Sequence, residues 1–175
     1  MLLFLPTVAI EKVTDITPQL VRKMKAKALI VDADNTMAVH NSPEPLEGTV
    51  EWVKEMQRSG IRVVMMSNNF KKRVADLADR YKIPYIALSL KPLPVSYLRA
   101  TRKLGVKHRE AIVVGDQIMT DIFGANLSLM KSILLVPTGK ENSRSFDVRR
   151  KFEKPFRKLT EITGRGKKYK KYLKK

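Results

Sequence analysis

At 175 residues, with a 43% hydrophobic fraction, the chain is sized for one domain with a full core. The absence of cysteine excludes disulfides, thiolate catalysis and cysteine-ligated metal, and points to a reducing compartment. A formal charge of +18 calls for polyanionic partners, either nucleic acid or an anionic lipid surface, against the bland alternative of a tail that only aids solubility.

The charge is unevenly spread: between Arg149 and Lys175, 13 Lys and Arg stand against Glu153 and Glu161. The opening Met-Leu-Leu-Phe-Leu-Pro lacks a basic flank and is far short of the ~20 apolar residues that span a bilayer, so a cytoplasmic protein, at most peripheral to a membrane, is expected. Residues 1–25 read as a lead-in, 26–140 as the core and 141–175 as a basic helix and tail. Thr17-Pro18 starts a short helix to Lys25, with Thr as N-cap and Pro at the first helical position.

The first strand, Ala26 to Val31, is apolar on consecutive positions, as suits a strand covered on both faces. It runs into Asp32-Ala33-Asp34-Asn35-Thr36. A turn has use for one such residue, but not for two carboxylates behind a buried strand. After a loop from His40 to Pro45, a helix extends from Leu46 towards Gly60. A second strand, Ile61 to Met66, ends in Ser67-Asn68-Asn69, which have helix-capping character. Val74, Leu77, Ala78 and Tyr81 mark the inner face of the next helix.

Ile83 to Leu88 reads as a third strand, and Lys91-Pro92 opens a helix with Tyr97, Leu98, Ala100, Thr101 and Leu104 inward. Ala111 to Val114 is a fourth strand ending in Gly115-Asp116, a short helix covers Thr120 to Asn126, and Ser132 to Val136 is the fifth strand. Past Pro137 come a Gly/Ser/Asn loop, a basic helix near Phe146 to Leu159, and a Gly-Lys-Tyr tail expected to be disordered when free. Trp52, Tyr97, Met65 and Met66 read as core, and His40 and His108, without metal-ligand spacing, as surface residues. Five strands alternating with helices give an α/β fold with a doubly wound, parallel, Rossmann-like sheet, and the polar signatures gather at the carboxyl ends of its strands, where such sheets bind ligands.

The gathered groups are Asp32-x-Asp34-x-Thr36, Ser67-Asn68-Asn69, Lys91-Pro92 and Gly115-Asp116-x-x-x-x-Asp121. In this order and spacing they resemble the four motifs of the haloacid dehalogenase (HAD) superfamily of phosphohydrolases, over about Ala26 to Val136. The finer pattern, with Leu-Pro near the start, Ile-Thr-Pro, Asp-Asn-Thr, Ser-Asn-Asn, and Gly-Asp-Gln with Thr-Asp, is similar to the bacterial YqeG family of subclass IIIA. That resemblance implies a relation to a phosphatase of phosphatidylglycerophosphate.

The chemistry follows from the residue types. A carboxylate nucleophile splits phosphomonoester hydrolysis into two displacements through an aspartyl-phosphate, and Asp32 suits that role, with Asp34 as general acid and base. Magnesium held by Asp32, the Asp34 carbonyl and Asp116 would offset the repulsion between phosphate and carboxylates. Lys91, the Ser67 hydroxyl and the Asn68 region would bind phosphate oxygens, Asp121 would support the metal or orient Lys91, and Thr36 is a supporting residue.

Only 30 residues separate Thr36 from Ser67, and 23 separate Ser67 from Lys91, so no cap domain fits. An open site favours a large or surface-presented phosphate. Tyr169, Tyr172 and Leu173 among the tail lysines suit an anionic bilayer or RNA equally. The rival reading is an RNA- or ribosome-associated binding protein whose phosphatase site is vestigial.

Overall fold

The computed structural model describes residues 2–40, 42–137 and 144–165. Six strands, β1 (Val8–Ile10), β2 (Ala28–Val31), β3 (Arg62–Met66), β4 (Tyr85–Ile86), β5 (Ala111–Gly115) and β6 (Lys131–Leu135), form one sheet in the order β1-β6-β5-β2-β3-β4. Every pairing is parallel. The sixth strand is the difference from the sequence reading, which stops at five. Val8–Ile10 lies in the lead-in and is only three residues long, too short for a periodic pattern to announce it.

The strands alternate their side chains between two covered faces, as a doubly wound sheet requires. Leu29, Val31, Val63, Met65, Ile112 and Val114 point to one face. There they meet α1 (Pro18–Lys23), α2 (Thr49–Arg58) and α3 (Lys71–Tyr81) through Leu20, Val53, Met56, Val74 and Leu77. Ala28, Ile30, Val64, Met66 and Val113 point to the other, against Tyr97, Ala100 and Leu104 of α4 (Pro94–Leu104) and Ala125 of α5 (Phe123–Leu127). Trp52, Tyr97, Met65 and Met66 are core residues as expected, and Trp52 Nε1 donates to the Ile16 carbonyl at 2.8 Å.

Local chemistry sets several boundaries. Thr17 caps α1, its hydroxyl accepting from Leu20 N at 3.2 Å, with Pro18 at the first position. The capping expected of Ser67-Asn68-Asn69 does not occur: α3 follows Phe70 with no side-chain cap, because Ser67 and Asn68 are engaged elsewhere. The Lys91–Pro92 peptide is cis and precedes α4, which begins only at Pro94, and Leu98 is exposed rather than inward.

A π-helical turn, Ile118–Ile122, leads into α5. The C-terminal helix α6 (Arg144–Ile162) packs back on that turn through Phe156, beside Ile118, Ile122 and Leu134. Phe4 stacks on Phe123 with ring centroids 4.7 Å apart and tilts against Phe156 at 4.8 Å, which ties the lead-in to α5 and α6. The expected Gly/Ser/Asn loop at 138–143 and the lysine- and tyrosine-rich tail at 166–175 lie outside the described residues. No helix among the described residues is long and apolar enough to cross a membrane.

Candidate active site

Register brings the motifs together. Val31 of β2 lies opposite Met65 of β3 and Val114 of β5, so the residues that follow these three strands emerge side by side. Asp32 N donates to the Val114 carbonyl at 2.9 Å, and Ser67 N to the Ile86 carbonyl at 3.0 Å, which continues the ladders one step into the loops. The turn after Asp32 is compact, with Met37 N and Ala38 N both donating to the Ala33 carbonyl at 3.0 Å. Tyr81 of α3 pins it from below by donating to the Met37 carbonyl at 2.5 Å, and burial pushes its phenol up to about 12.

The centre of the site is a buried charge cluster. The Lys91 ammonium bridges Asp32 Oδ1 and, at 2.7 Å, Asp121 Oδ1. Asp121 also accepts from Gln117 N at 3.2 Å, which fixes its second oxygen. Burial works against the Lys91 ammonium, but the Asp121 and Asp32 carboxylates outweigh it and hold its pKa above the ordinary lysine value. For Asp32, burial raises the pKa well above the carboxylate range, and the Asp121 and Asp116 charges add to this against the opposing pull of Lys91. The two shifts are linked through the buried Lys91–Asp32 pair, in which each charge opposes the desolvation of the other.

These groups fit a divalent cation by their own chemistry. Carboxylate oxygens of Asp32, Asp116 and Asp121 lie within 4.8 Å of one another. Asp32 Oδ2 is buried with no hydrogen-bond partner, and hard anionic oxygens are what magnesium takes.

The open cavity above the cluster, about 200 Å³, is lined by Asp32, Asp34, His40, Ser67, Asn68, Asn69, Lys91, Gln117 and Thr120. Asp34 Oδ1 stands at its wall, 2.5 Å from Arg73 of α3 and 3.3 Å from His40 Nδ1. His40 is therefore part of the site, which corrects its reading as a surface residue. The Asn68 side chain brackets Lys91: its Oδ1 accepts from Lys91 N at 2.8 Å and its Nδ2 donates to the Lys91 carbonyl at 3.1 Å. Thr36 is buried beneath the turn and lines a neighbouring cleft with Asn35, Glu11 and Glu47 instead of this cavity.

The sequence reading missed Arg73, His40, Glu153 and Arg157. For Arg73 the signal was three cations, Lys71-Lys72-Arg73, opening a helix whose N-terminal dipole disfavours them. Glu153 is buried in α6 and accepts from Ile118 N at 2.7 Å and Met119 N at 3.2 Å, while Arg157 donates to the Asp116 carbonyl. Its signal was a glutamate on the inward stripe of a predominantly basic helix, with Phe156 and Thr160 at helical spacing. Glu153→Ala leaves two backbone donors orphaned, at about 2 kcal/mol, and is expected to lower Tm by roughly 4–8 °C. An unchanged melting curve would show that α6 does not hold this turn.

With that geometry in place, comparison with known proteins decides the family. The family model for haloacid dehalogenase-like hydrolase matches residues 9–127, a span that contains Asp32, Asp34, Ser67, Lys91, Asp116 and Asp121. The chain belongs to the haloacid dehalogenase-like hydrolases. It is 33% identical over 139 residues, 79% of its length and 81% of the relative's, to the Bacillus subtilis protein named probable phosphatase YqeG. Two solved structures share the fold. The cobalt-bound deoxy-D-mannose-octulosonate 8-phosphate phosphatase of Haemophilus influenzae gives a TM-score of 0.54 at 13% identity, over 70% of this chain and 73% of that one. The Moraxella catarrhalis 3-deoxy-D-manno-octulosonate 8-phosphate phosphatase, solved with magnesium, phosphate and KDO, gives 0.51 at 18% identity, over 74% and 79%. The haloacid dehalogenase-like hydrolase described here is thus a phosphatase, and its Asp32, Lys91, Asp116 and Asp121 cluster stands intact at the sheet edge.

Proposed function

We propose that this phosphatase is a magnesium-dependent phosphomonoester hydrolase working through an aspartyl-phosphate on Asp32, on a substrate presented at a polyanionic surface. Phosphatidylglycerophosphate is the first substrate to test. The observation that carries the reading is the Lys91 bridge between Asp32 and Asp121, with Asp32 Oδ2 left without a hydrogen-bond partner beneath the open cavity.

In this reading one Asp32 oxygen attacks phosphorus and the ester P–O bond breaks. The leaving alkoxide takes a proton from Asp34, which stands at the cavity wall beside Arg73 and His40. Asp34 then takes a proton from water as it attacks the phospho-enzyme, inorganic phosphate leaves and the Asp32 carboxylate is restored. Lys91 and the Ser67 hydroxyl hold phosphate oxygens, and Asn68 fixes the Lys91 backbone. Magnesium bound by Asp32, the Asp34 carbonyl and Asp116 would draw charge off the phosphate and shield it from the carboxylates. Asp121 orients Lys91.

The cavity is open because the chain between Thr36 and Ser67 is used by α2 and β3, and that between Ser67 and Lys91 by α3 and β4. This supports a phosphate carried by a larger body, and the +18 charge supports an anionic one. A cytoplasmic protein working at a membrane surface fits both features.

The test is phosphate release from phosphatidylglycerophosphate in anionic vesicles, with and without magnesium, beside p-nitrophenyl phosphate. Magnesium-dependent release from both is expected. Turnover of the soluble ester alone would discard the lipid, and equal rates in a chelator would discard the metal.

A further inference from the structure

The rim of the site carries apolar side chains that the monomer leaves in water. Phe70 is 75% exposed, Leu90 63% and Leu88 52%, and Leu93, Val95 and Leu98 are exposed as well. All belong to the loops at the carboxyl ends of β3 and β4 or to the start of α4, the edge at which Ser67, Asn68 and Lys91 face the cavity. The two loops lie against each other: Leu88 N donates to the Asn69 carbonyl at 3.0 Å, and Ser89 N to the Ser67 carbonyl at 3.1 Å. Leu88 and Leu90 have φ of 45° and 57°, a left-handed backbone that bulky side chains rarely adopt. A loop that neither buries its leucines nor suits them locally gives the isolated fold no return for having them there.

Cations ring this patch. Lys71 and Lys72 are exposed in the first turn of α3, which has no acidic residue. A groove lined by Lys71, Tyr85, Leu88, Arg99 and Lys103 brings the charges of α3 and α4 onto one surface with Leu88, and no carboxylate lines it.

We propose that this rim is a membrane-docking surface for an anionic bilayer. Its leucines enter the boundary between headgroups and acyl chains, Lys71, Arg99 and Lys103 meet anionic headgroups, and Lys91 faces the lipid plane from the cavity. Charge complementarity selects an anionic surface. The aliphatic character of the patch, five of the six exposed side chains, selects lipid over nucleic acid, since single strands are gripped by aromatic platforms on which bases stack. The inference builds on the phosphatase reading above by supplying the surface on which its substrate is met.

The experiment is co-sedimentation of the full chain with phosphatidylglycerol vesicles, with phosphatidylcholine vesicles as the neutral comparison and no phosphatase substrate present. The variant combines Leu88→Asn and Leu90→Asn, because asparagine adopts left-handed φ more readily than leucine and the fold is kept. Wild type is expected to partition onto phosphatidylglycerol and only weakly onto phosphatidylcholine. The double variant should bind about a hundredfold more weakly, with p-nitrophenyl phosphate turnover unchanged. Lys71→Gln with Lys103→Gln should weaken binding by roughly 25-fold.

Equal binding by the double variant and wild type overturns the docking surface, as does an RNA oligonucleotide bound in preference to vesicles. Rim-dependent vesicle binding without phosphate release from phosphatidylglycerophosphate keeps the surface and discards the substrate. Release from detergent-dispersed lipid, combined with rim-independent vesicle binding, keeps the substrate and discards the surface.

Discussion

Asp32→Asn is expected to abolish phosphatase turnover and, in the presence of a chelator, to raise Tm. The first effect follows from chemistry: an amide cannot attack phosphorus, so the proposed route through an aspartyl-phosphate closes and a loss of at least a thousandfold is expected. The second follows from the charge cluster. Burial and the Asp121 and Asp116 charges raise the Asp32 pKa above its ordinary value of 3.8. A raised folded-state pKa contributes stability that is fully present below pH 3.8 and lost as pH rises through the folded value. At neutral pH an ionised Asp32 is therefore a cost, and the near-isosteric amide removes it while still accepting from Lys91. A gain of about 1–2 kcal/mol corresponds to roughly 3–6 °C in Tm. On the proposed magnesium dependence, the metal should narrow the gap, because it would bind and stabilise the wild-type protein more than the variant. Calorimetry of both proteins with and without magnesium, beside a phosphate-release assay, reads all of this. Retained turnover would falsify Asp32 as nucleophile, and a lower Tm in chelator would show that the ionised Asp32 is not a cost to the fold.

The parts of this fold that sequence displayed are those whose physics is local or repetitive. Ala28–Val31, Arg62–Met66 and Ala111–Gly115 are near-continuous apolar runs because the central strands of a parallel sheet are buried on both faces. Carboxylates at the end of such a run have no packing reason to be there, so Asp32 and Asp116 stood out. The edges were less visible. Val8–Ile10 pairs with β6 over three residues, and Tyr85–Ile86 pairs with β3 over only two, where the sequence suggested six. At an edge, pairing is decided by what the neighbouring strand offers, and periodicity carries little of that.

The site divides the same way. Asp32, Ser67, Lys91, Asp116 and Asp121 were legible because each directly follows a strand or keeps a fixed spacing from one that does. His40, Arg73 and Glu153 were not, because they reach the site from a loop and two helices, His40 and Arg73 through Asp34 and Glu153 through Ile118 N. Asn68 shows the limit from the other side. It lies in the motif, yet its side chain holds the Lys91 backbone, a tertiary contact that no spacing rule announces.

Lys91→Met tests whether this cluster is organised around its cation. Methionine keeps the length and removes the charge, leaving Asp32, Asp116 and Asp121 facing one another in a buried site. Removing one partner of a buried charge network costs about 3–5 kcal/mol, because the remaining charges stay desolvated. A fall in Tm of roughly 10 °C is expected in chelator, with magnesium restoring part of it by replacing the missing charge. Turnover should fall about a hundred- to thousandfold, since a preorganised cation at the phosphate is lost. The pH dependence separates this from a packing defect. The raised Lys91 pKa contributes stability that is fully present below pH 10.5 and lost as pH rises further, so the stability difference between wild type and variant should shrink above that pH. Lys91→Arg completes the comparison. It keeps the charge, so its Tm should stand above that of the methionine variant, but a planar guanidinium in place of a point ammonium cannot meet Asp32, Asp121 and the phosphate in the same geometry, and turnover stays low. A methionine variant as stable as wild type in chelator would mean that Lys91 and the carboxylates are not held together as a charge cluster, and Lys91 would then have to serve the phosphate alone.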